Sequence, residues 1–279
     1  MDLKDWIGRT ETVDDIVTAT PYAALSATLD REPARPKQGT PLPALWHWLY
    51  FLPLHRQSEI GPDGHARRGG FLPAVALPRR MWAGSQLQFH RPLCVGDAVT
   101  RVSTIQSVNE KSGRSGALVF VKVRHEFRAS GRDDVALTEL HDIVYREAAN
   151  PTDVATPPQA APGASAWEKK WVPDEVLLFR YSALTFNGHR IHYDRSYAVG
   201  QEFYPALVVQ GPLLATMLLE LVWVQLPGAV LREFRFRAVR PSFDTHPFTL
   251  NGTRSGNKLE LWTADEDQQL CVTASARLA

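Results

Sequence analysis

The feature that most constrains the fold is a repeated order of elements on either side of AANPTDVATPPQAAPGASA, residues 148–166. This stretch is rich in alanine and proline and lacks hydrophobic periodicity, as expected of a surface linker. Beyond it, VLLFRYS (176–182) reads as a strand, and Pro212 to Leu226 carries apolar residues at helical spacing with a proline suited to the first turn. Four strand-like runs follow, at 230–239, 247–254, 258–264 and 270–278, with alternation clearest in REFRFRAV. Before the linker, LPALWHWLYFL (42–52) is a helix candidate. A loop full of Gly, Pro and His follows it, then strand-like runs at 81–90, 98–110, 117–130 and 136–147. A helix followed by a four-strand meander, used twice, predicts two α+β units whose sheets wrap around or pack on a helix. Exposed edge strands would be relieved by pairing the two sheets side by side, giving a pseudo-dimer with its ligand site where the halves meet. The predicted organisation is a unit over 1–149, a linker over 150–167 and a second unit over 168–279.

Composition narrows the function. The 31 Lys and Arg nearly balance 30 Asp and Glu, and no long basic run occurs, which excludes an electrostatic footprint for nucleic acid. Cys94 and Cys271 stand alone, one in each half, without the spacing of a disulfide framework or a zinc site, and they fit a reducing compartment. The beginning, MDLKDWIGRTETVDD, is acidic and has no apolar core of a signal peptide. The most apolar helical stretch, Leu213 to Leu226, is too short to span a bilayer. The expectation is a cytoplasmic protein without membrane or nucleic-acid partners.

Chemistry is concentrated in TFNGHRIHYDRSYA (185–198). His192 titrates near neutrality and is the first candidate for proton transfer. Asn187 donates and accepts hydrogen bonds but cannot act as a base, so it orients. His189 and His192 lie three apart with no further ligand cluster, and no metal is expected. Downstream, VVQGPLLATM (208–217) brings Gly211 to the start of an apolar helix, where free amides and the positive dipole end can polarise a carbonyl.

These residues resemble the MaoC-like hydratases and dehydratases. Their signature places an aspartate five residues before a histidine, D-x-N-P-[IL]-H-x-D, followed by a His-Gly at the start of a central helix. Here Asn187 stands at the aspartate, His189 at the asparagine, Arg190 at the proline, Asp194 at the following acid, and Gln210-Gly211 at the His-Gly. Together with PRRMWAGSQLQFHRPLCVGDAV (78–99) and LTELHDIVYRE (137–147), FNGHRIHYD is similar to a double-hotdog branch acting on itaconyl-CoA, mesaconyl-C4-CoA or related thioesters.

The resemblance implies an α+β double hotdog, each unit a central helix wrapped by a curved antiparallel sheet, with the motif in the second unit and a non-catalytic, pocket-lining first unit. It implies reversible hydration of a short, branched, dicarboxylic enoyl-CoA to citramalyl-CoA. No cofactor is involved beyond the CoA of the substrate, and homo-oligomer formation is compatible. His192 would be the acid/base, Asn187 would hold the water, and the Gly211 amide would polarise the thioester. A free carboxylate on the substrate calls for a cation, for which Arg190 and Arg80 are candidates. His189, Tyr193, Asp194, Gln210 and Trp82 complete the expected substrate-binding set. The alternatives are a dehydratase of longer straight-chain acyl thioesters and a non-catalytic acyl-thioester binding protein, which the absence of the aspartate would permit. A thioesterase ranks below these for want of an acidic nucleophile or base.

Overall fold

The computed structural model describes residues 2–32, 35–113, 116–151 and 157–279. The chain divides into two compact units. The first runs to Ala149 and takes in Leu184–Gly188, and the second comprises Asn150–Ala183 and His189–Ala279.

The second unit is built on β6 (Trp167–Trp171), β7 (Leu231–Ala238), β8 (Phe248–Ser255), β9 (Lys258–Ala264) and β10 (Leu270–Leu278), ordered β7-β10-β9-β8-β6 and antiparallel throughout. In β7, Leu231, Phe234 and Phe236 are buried while Arg235 and Arg237 face solvent, as the alternating sequence dictates. Against this sheet packs α4 (Gly211–Gln225), which touches β6, β8, β9 and β10. Every residue from Leu213 to Leu219 is buried, as are Leu221 and Val222, and a helix that is apolar on all sides must lie inside. Each of its leucines stabilises the fold by roughly 1.5–3 kcal/mol relative to exposure.

The first unit repeats the strand order. Its strands β1 (Thr10–Ile16), β2 (Arg79–Phe89), β3 (Ala98–Gly113), β4 (Gly116–Ala129) and β5 (Leu137–Arg146) are ordered β1-β3-β4-β5-β2, the arrangement of β6-β8-β9-β10-β7. What differs is the helix. Among the described residues its α-helix, α1 (Ala19–Thr28), follows β1, and the segment 42–52 expected to be helical forms only a 3-10 turn at Trp46–Leu49. Leu45 (φ 71°) and Phe51 (φ 55°) bracket that turn in the left-handed region, which a continuing α-helix does not allow.

VLLFRYS, expected as a strand, is helical: α2 spans Glu175–Leu184. Its buried residues Leu177, Leu178, Tyr181 and Ser182 make a helical stripe, and Asp174 starts it by accepting from the Leu177 amide at 2.7 Å. A seven-residue apolar run does not distinguish strand from helix by periodicity. Strands β1 and β6 and helix α1 were not anticipated. Of the expected linker, residues 152–156 lie outside the described residues. Beyond them, the Leu270 amide donates to the Gln159 carbonyl (2.7 Å), the Ala161 amide to that of Gln268 (2.8 Å) and the Ala166 amide to that of Gly252 (3.0 Å).

Candidate active site

In the second unit, the chain from α2 reaches a 3-10 turn, Arg190–His192, and then α3 (Arg195–Gly200). His192 is buried, and its Nδ1 lies 2.7 Å from the Val208 carbonyl oxygen. A carbonyl only accepts, so Nδ1 carries a proton, and the neutral form of the ring has its lone pair on Nε2. The Val208 amide in turn donates to the Ile191 carbonyl (3.0 Å), fastening the turn to the strand-like segment that enters α4. The His189 ring stands edge-on to His192, centroids 5.4 Å apart.

Gly211 is the first residue of α4, with Pro212 behind it. A Cβ built on Gly211 would meet nothing within 4 Å, so the backbone at this helix start faces open space. Its amide has the position and dipole to receive a carbonyl oxygen. Gln210 does not point there as a ligand would. It is buried, and its amide nitrogen donates to the Leu178 carbonyl and to Ser182 Oγ, both at 2.9 Å, tying α4 to α2.

The remaining acids and bases of the motif are engaged with one another. Arg190 places Nε and Nη2 at 2.9 and 2.7 Å from Asp194 Oδ2 and lays its guanidinium over the Tyr197 ring. Asp194 is the N-cap of α3, accepting from the Tyr197 amide and from Ser196 Oγ, and the Ser196 and Arg190 bonds hold its carboxyl down at about 2. Asp194 therefore organises the helix start. Tyr193 is largely exposed.

Asn187 belongs to the first unit, although it was expected in the second. The reason is Gly188: any Cβ there would lie 2.6 Å from the Gly64 carbonyl oxygen, so a side-chain-free residue lets the motif close onto the loop GPDGHARR (61–68). On either side of Gly64, Asp63 Oδ2 accepts from His65 Nδ1 at 2.9 Å. Burial lowers the His65 pKa, and the charges of Arg80 and Arg68 add to this, against the opposing pull of Asp63. Sequence reasoning named this loop only as rich in Gly, Pro and His.

Arg80 and Trp82 lie on β2. Arg80 pairs with Tyr145 of β5. Trp82, expected in the substrate-binding set, donates its indole N–H to the Gly84 carbonyl (3.1 Å) and Ser85 Oγ (3.0 Å), and its ring lies tilted against His141, centroids 4.1 Å apart. It belongs to a buried polar layer that the sequence reading missed. At its centre Glu139 accepts from Ser85 Oγ (2.7 Å), His47 Nε2 (3.0 Å) and Trp48 Nε1 (3.1 Å). Burial alone would raise the Glu139 pKa; the His47 bond and the surrounding histidines bring it well below the carboxylate range. Burial also drives His125 to about 3 and His141 to about 4, so both are neutral. The signal available was Glu139 and His141 recurring with period two inside LTELHDIVYRE, on the face that carries Ile143 and Tyr145.

Comparison with known proteins identifies the family. Residues 45–244 match hydroxyacyl-thioester dehydratase type 2. The chain belongs to this family. Among curated relatives of this dehydratase-family chain, mesaconyl-C(4)-CoA hydratase of Chloroflexus aurantiacus is 43% identical over 277 residues, covering 99% of this chain and 98% of the relative. Among solved structures, a MaoC-like dehydratase superposes with a TM-score of 0.74 at 12% identity, covering all of both chains. A Mycobacterium tuberculosis protein described as a double hotdog gives 0.58 at 14% identity, covering 98% of this chain and 96% of its own. The family member described here is thus a double hotdog and a hydro-lyase of the hydratase/dehydratase class acting on acyl thioesters. Among the described residues no helix is long and apolar enough to cross a membrane.

Proposed function

We propose that this protein reversibly hydrates a short, branched, dicarboxylic enoyl-CoA, with mesaconyl-C4-CoA as substrate and citramalyl-CoA as product. The observation that carries the reading is His192, whose Nδ1 proton is tied to the Val208 carbonyl so that Nε2 is the basic atom. As water oxygen bonds to C3, Nε2 takes its proton and the C2=C3 electron pair moves toward the thioester. The developing enolate oxygen is received by the Gly211 amide at the start of α4, and a proton is delivered to C2. Asn187 orients and takes no proton. The relative named mesaconyl-C(4)-CoA hydratase, 43% identical across nearly the whole chain, supports this substrate over straight-chain acyl thioesters.

Addition of water is redox-neutral, and in this reading the amide supplies the polarisation, so neither redox cofactor nor metal takes part. CoA is part of the substrate. A cytoplasmic location and association into a homo-oligomer belong to the same proposal, the first from the two isolated thiols and the second untouched by the chemistry.

The test is to mix purified protein with mesaconyl-C4-CoA, itaconyl-CoA and crotonyl-CoA in turn. Loss of the conjugated enoyl absorbance is followed where present, and products are analysed for a mass gain of one water. Hydration of the branched dicarboxylates over crotonyl-CoA is expected; hydration of crotonyl-CoA alone would move the protein to straight-chain substrates.

A further inference from the structure

The base and the polarising amide of the second unit hang from one short segment, residues 208–211. His192 Nδ1 bonds to the Val208 carbonyl at 2.7 Å, and the Val209 amide donates to the Ser242 carbonyl at 2.8 Å. What holds the other end of the segment decides where the Gly211 N–H points.

That N–H lies in one planar, trans peptide unit with the Gln210 carbonyl, so the two groups are antiparallel. The carbonyl accepts from the Leu214 amide at 3.1 Å and is directed into α4, which turns the Gly211 N–H out of the helix start. Gln210 itself is extended, with φ −62° and ψ 128°, and rotation about its backbone swings the whole plane.

Gln210 occupies the N-cap of α4, where Ser, Thr, Asp and Asn are favoured because their side chains fold back onto the free amides of the first turn. Gln210 makes no such bond. Its amide nitrogen reaches away to α2, donating to the Leu178 carbonyl and to Ser182 Oγ at 2.9 Å each, so the helix start stays open while its first residue is anchored from the side. The Leu178 carbonyl can only accept, which fixes the nitrogen toward α2 and leaves Oε1 buried with no hydrogen-bond partner among the described residues. An unpaired buried acceptor is destabilising, and an apolar side chain of similar shape would avoid the penalty. Stability therefore does not account for an amide at this position. A separate tie, from the Tyr181 hydroxyl to the Thr216 side chain, also joins α2 to α4.

We propose that Gln210 is a positioning residue: anchored on α2, it aims the Gly211 N–H at the thioester oxygen and fixes that amide relative to His192. The inference rests on the reading of Gly211 as the amide that receives this oxygen. A misdirected donor weakens its bond to the developing enolate more than its bond to the ground-state thioester, so the loss falls on kcat and not on KM.

Two variants separate aim from mere attachment. Gln210→Met keeps the length of the side chain and removes the donor, whereas Tyr181→Phe removes the other tie between the same helices. Urea unfolding reports stability, and steady-state hydration of mesaconyl-C4-CoA and crotonyl-CoA reports kcat and KM. Infrared spectra report the thioester carbonyl of bound, isotope-labelled methylsuccinyl-C4-CoA and butyryl-CoA, the saturated counterparts that take up no water. Wild type is expected to lower the carbonyl frequency below its value in water. Gln210→Met should return it toward that value and lower kcat on the order of ten- to a hundred-fold, with KM within a few-fold. Tyr181→Phe should be destabilised at least as much, with frequency and kcat close to wild type. If Gln210→Met does not fold, Ser182→Ala removes one of the two anchors and should move frequency and kcat part of the way.

Wild-type frequency and kcat in folded Gln210→Met, or in Ser182→Ala where that variant stands in, would overturn the proposal. So would losses of kcat that track stability equally in the Gln210 and Tyr181 variants, since these mark general packing of α2 on α4. A wild type that leaves the carbonyl frequency unchanged removes the Gly211 reading itself, and the positioning role with it. A frequency that depends on Gln210 in a protein hydrating neither enoyl-CoA supports the positioning role and removes the hydration.

Discussion

The two units use one strand order and fill it in opposite ways. In the second, α4 lays nine buried residues, eight apolar and one threonine, against its sheet. In the first, the face of β4 and β5 meets a 3-10 turn whose His47 and Trp48 converge with Ser85 on the buried carboxylate of Glu139. An apolar helix is stable through area removed from water and tolerates small changes of shape, whereas a buried carboxylate is tolerable only while every donor is present. One strand order thus carries, in the second unit, a helix start suited to receiving a thioester oxygen and, in the first, a polar interior, with Arg68 and Arg80 near Asp63 and His65.

The sharpest test of this division is catalytic. His192→Ala should lower kcat on the order of 10²- to 10⁴-fold with the fold intact, read by steady-state hydration and circular dichroism. Near wild-type turnover would remove the second unit's claim to the acid/base.

Next in size is the polar layer. Glu139→Ala strands His47, Ser85 and the Trp48 indole and should cost about 3–5 kcal/mol in urea unfolding, the loss expected on breaking a buried pair. A loss below about 1 kcal/mol would mean that water or rearrangement replaces the carboxylate.

The same layer makes the first unit acid-sensitive. His125 and His141 titrate near 3 and 4 when folded and at 6.5 when unfolded, so between these values the unfolded chain binds more protons. Their neutral forms are compatible with folding above pH 6.5, and stability falls as pH drops from there toward about 4. Glu139, also depressed, adds a loss of the same sign below the ordinary carboxylate range. Hydrogen exchange across this range should open β4 and β5 before α4; simultaneous opening would break the comparison.

In the apolar counterpart, Leu218→Ala at the centre of α4 removes a fully buried side chain and should cost about 2–5 kcal/mol by cavity formation, with little dependence on pH over the same range. The smallest effect belongs to Asp194. Asp194→Ala removes the cap of α3 and the partner of Arg190, and should lower stability by about 1 kcal/mol while leaving kcat within a few-fold of wild type. A collapse of kcat to the level of His192→Ala would show that the cap orients the catalytic turn.

Much of this was legible in the residues. Alternation in REFRFRAV located β7, because a sheet with one buried face imposes period two on sequence, and LCVTASARL was legible as a strand-like run at β10. The Gly-Pro before an uninterrupted apolar run located the start of α4, and the spacing of Asn187 and His192 located the motif. Short apolar runs were not legible: VLLFRYS became α2 because Asp174 caps it and its stripe packs inward, and LPALWHWLYFL failed as a helix because its ends turn left-handed. Which ring nitrogen of His192 holds the proton, which acid Arg190 faces, and that Gly188 must lie against Gly64 are decided by groups sixteen, four and more than a hundred residues away. Local pattern records which side of an element is apolar. Charges and hydrogen bonds act through space, so their partners were set only when the chain closed on itself.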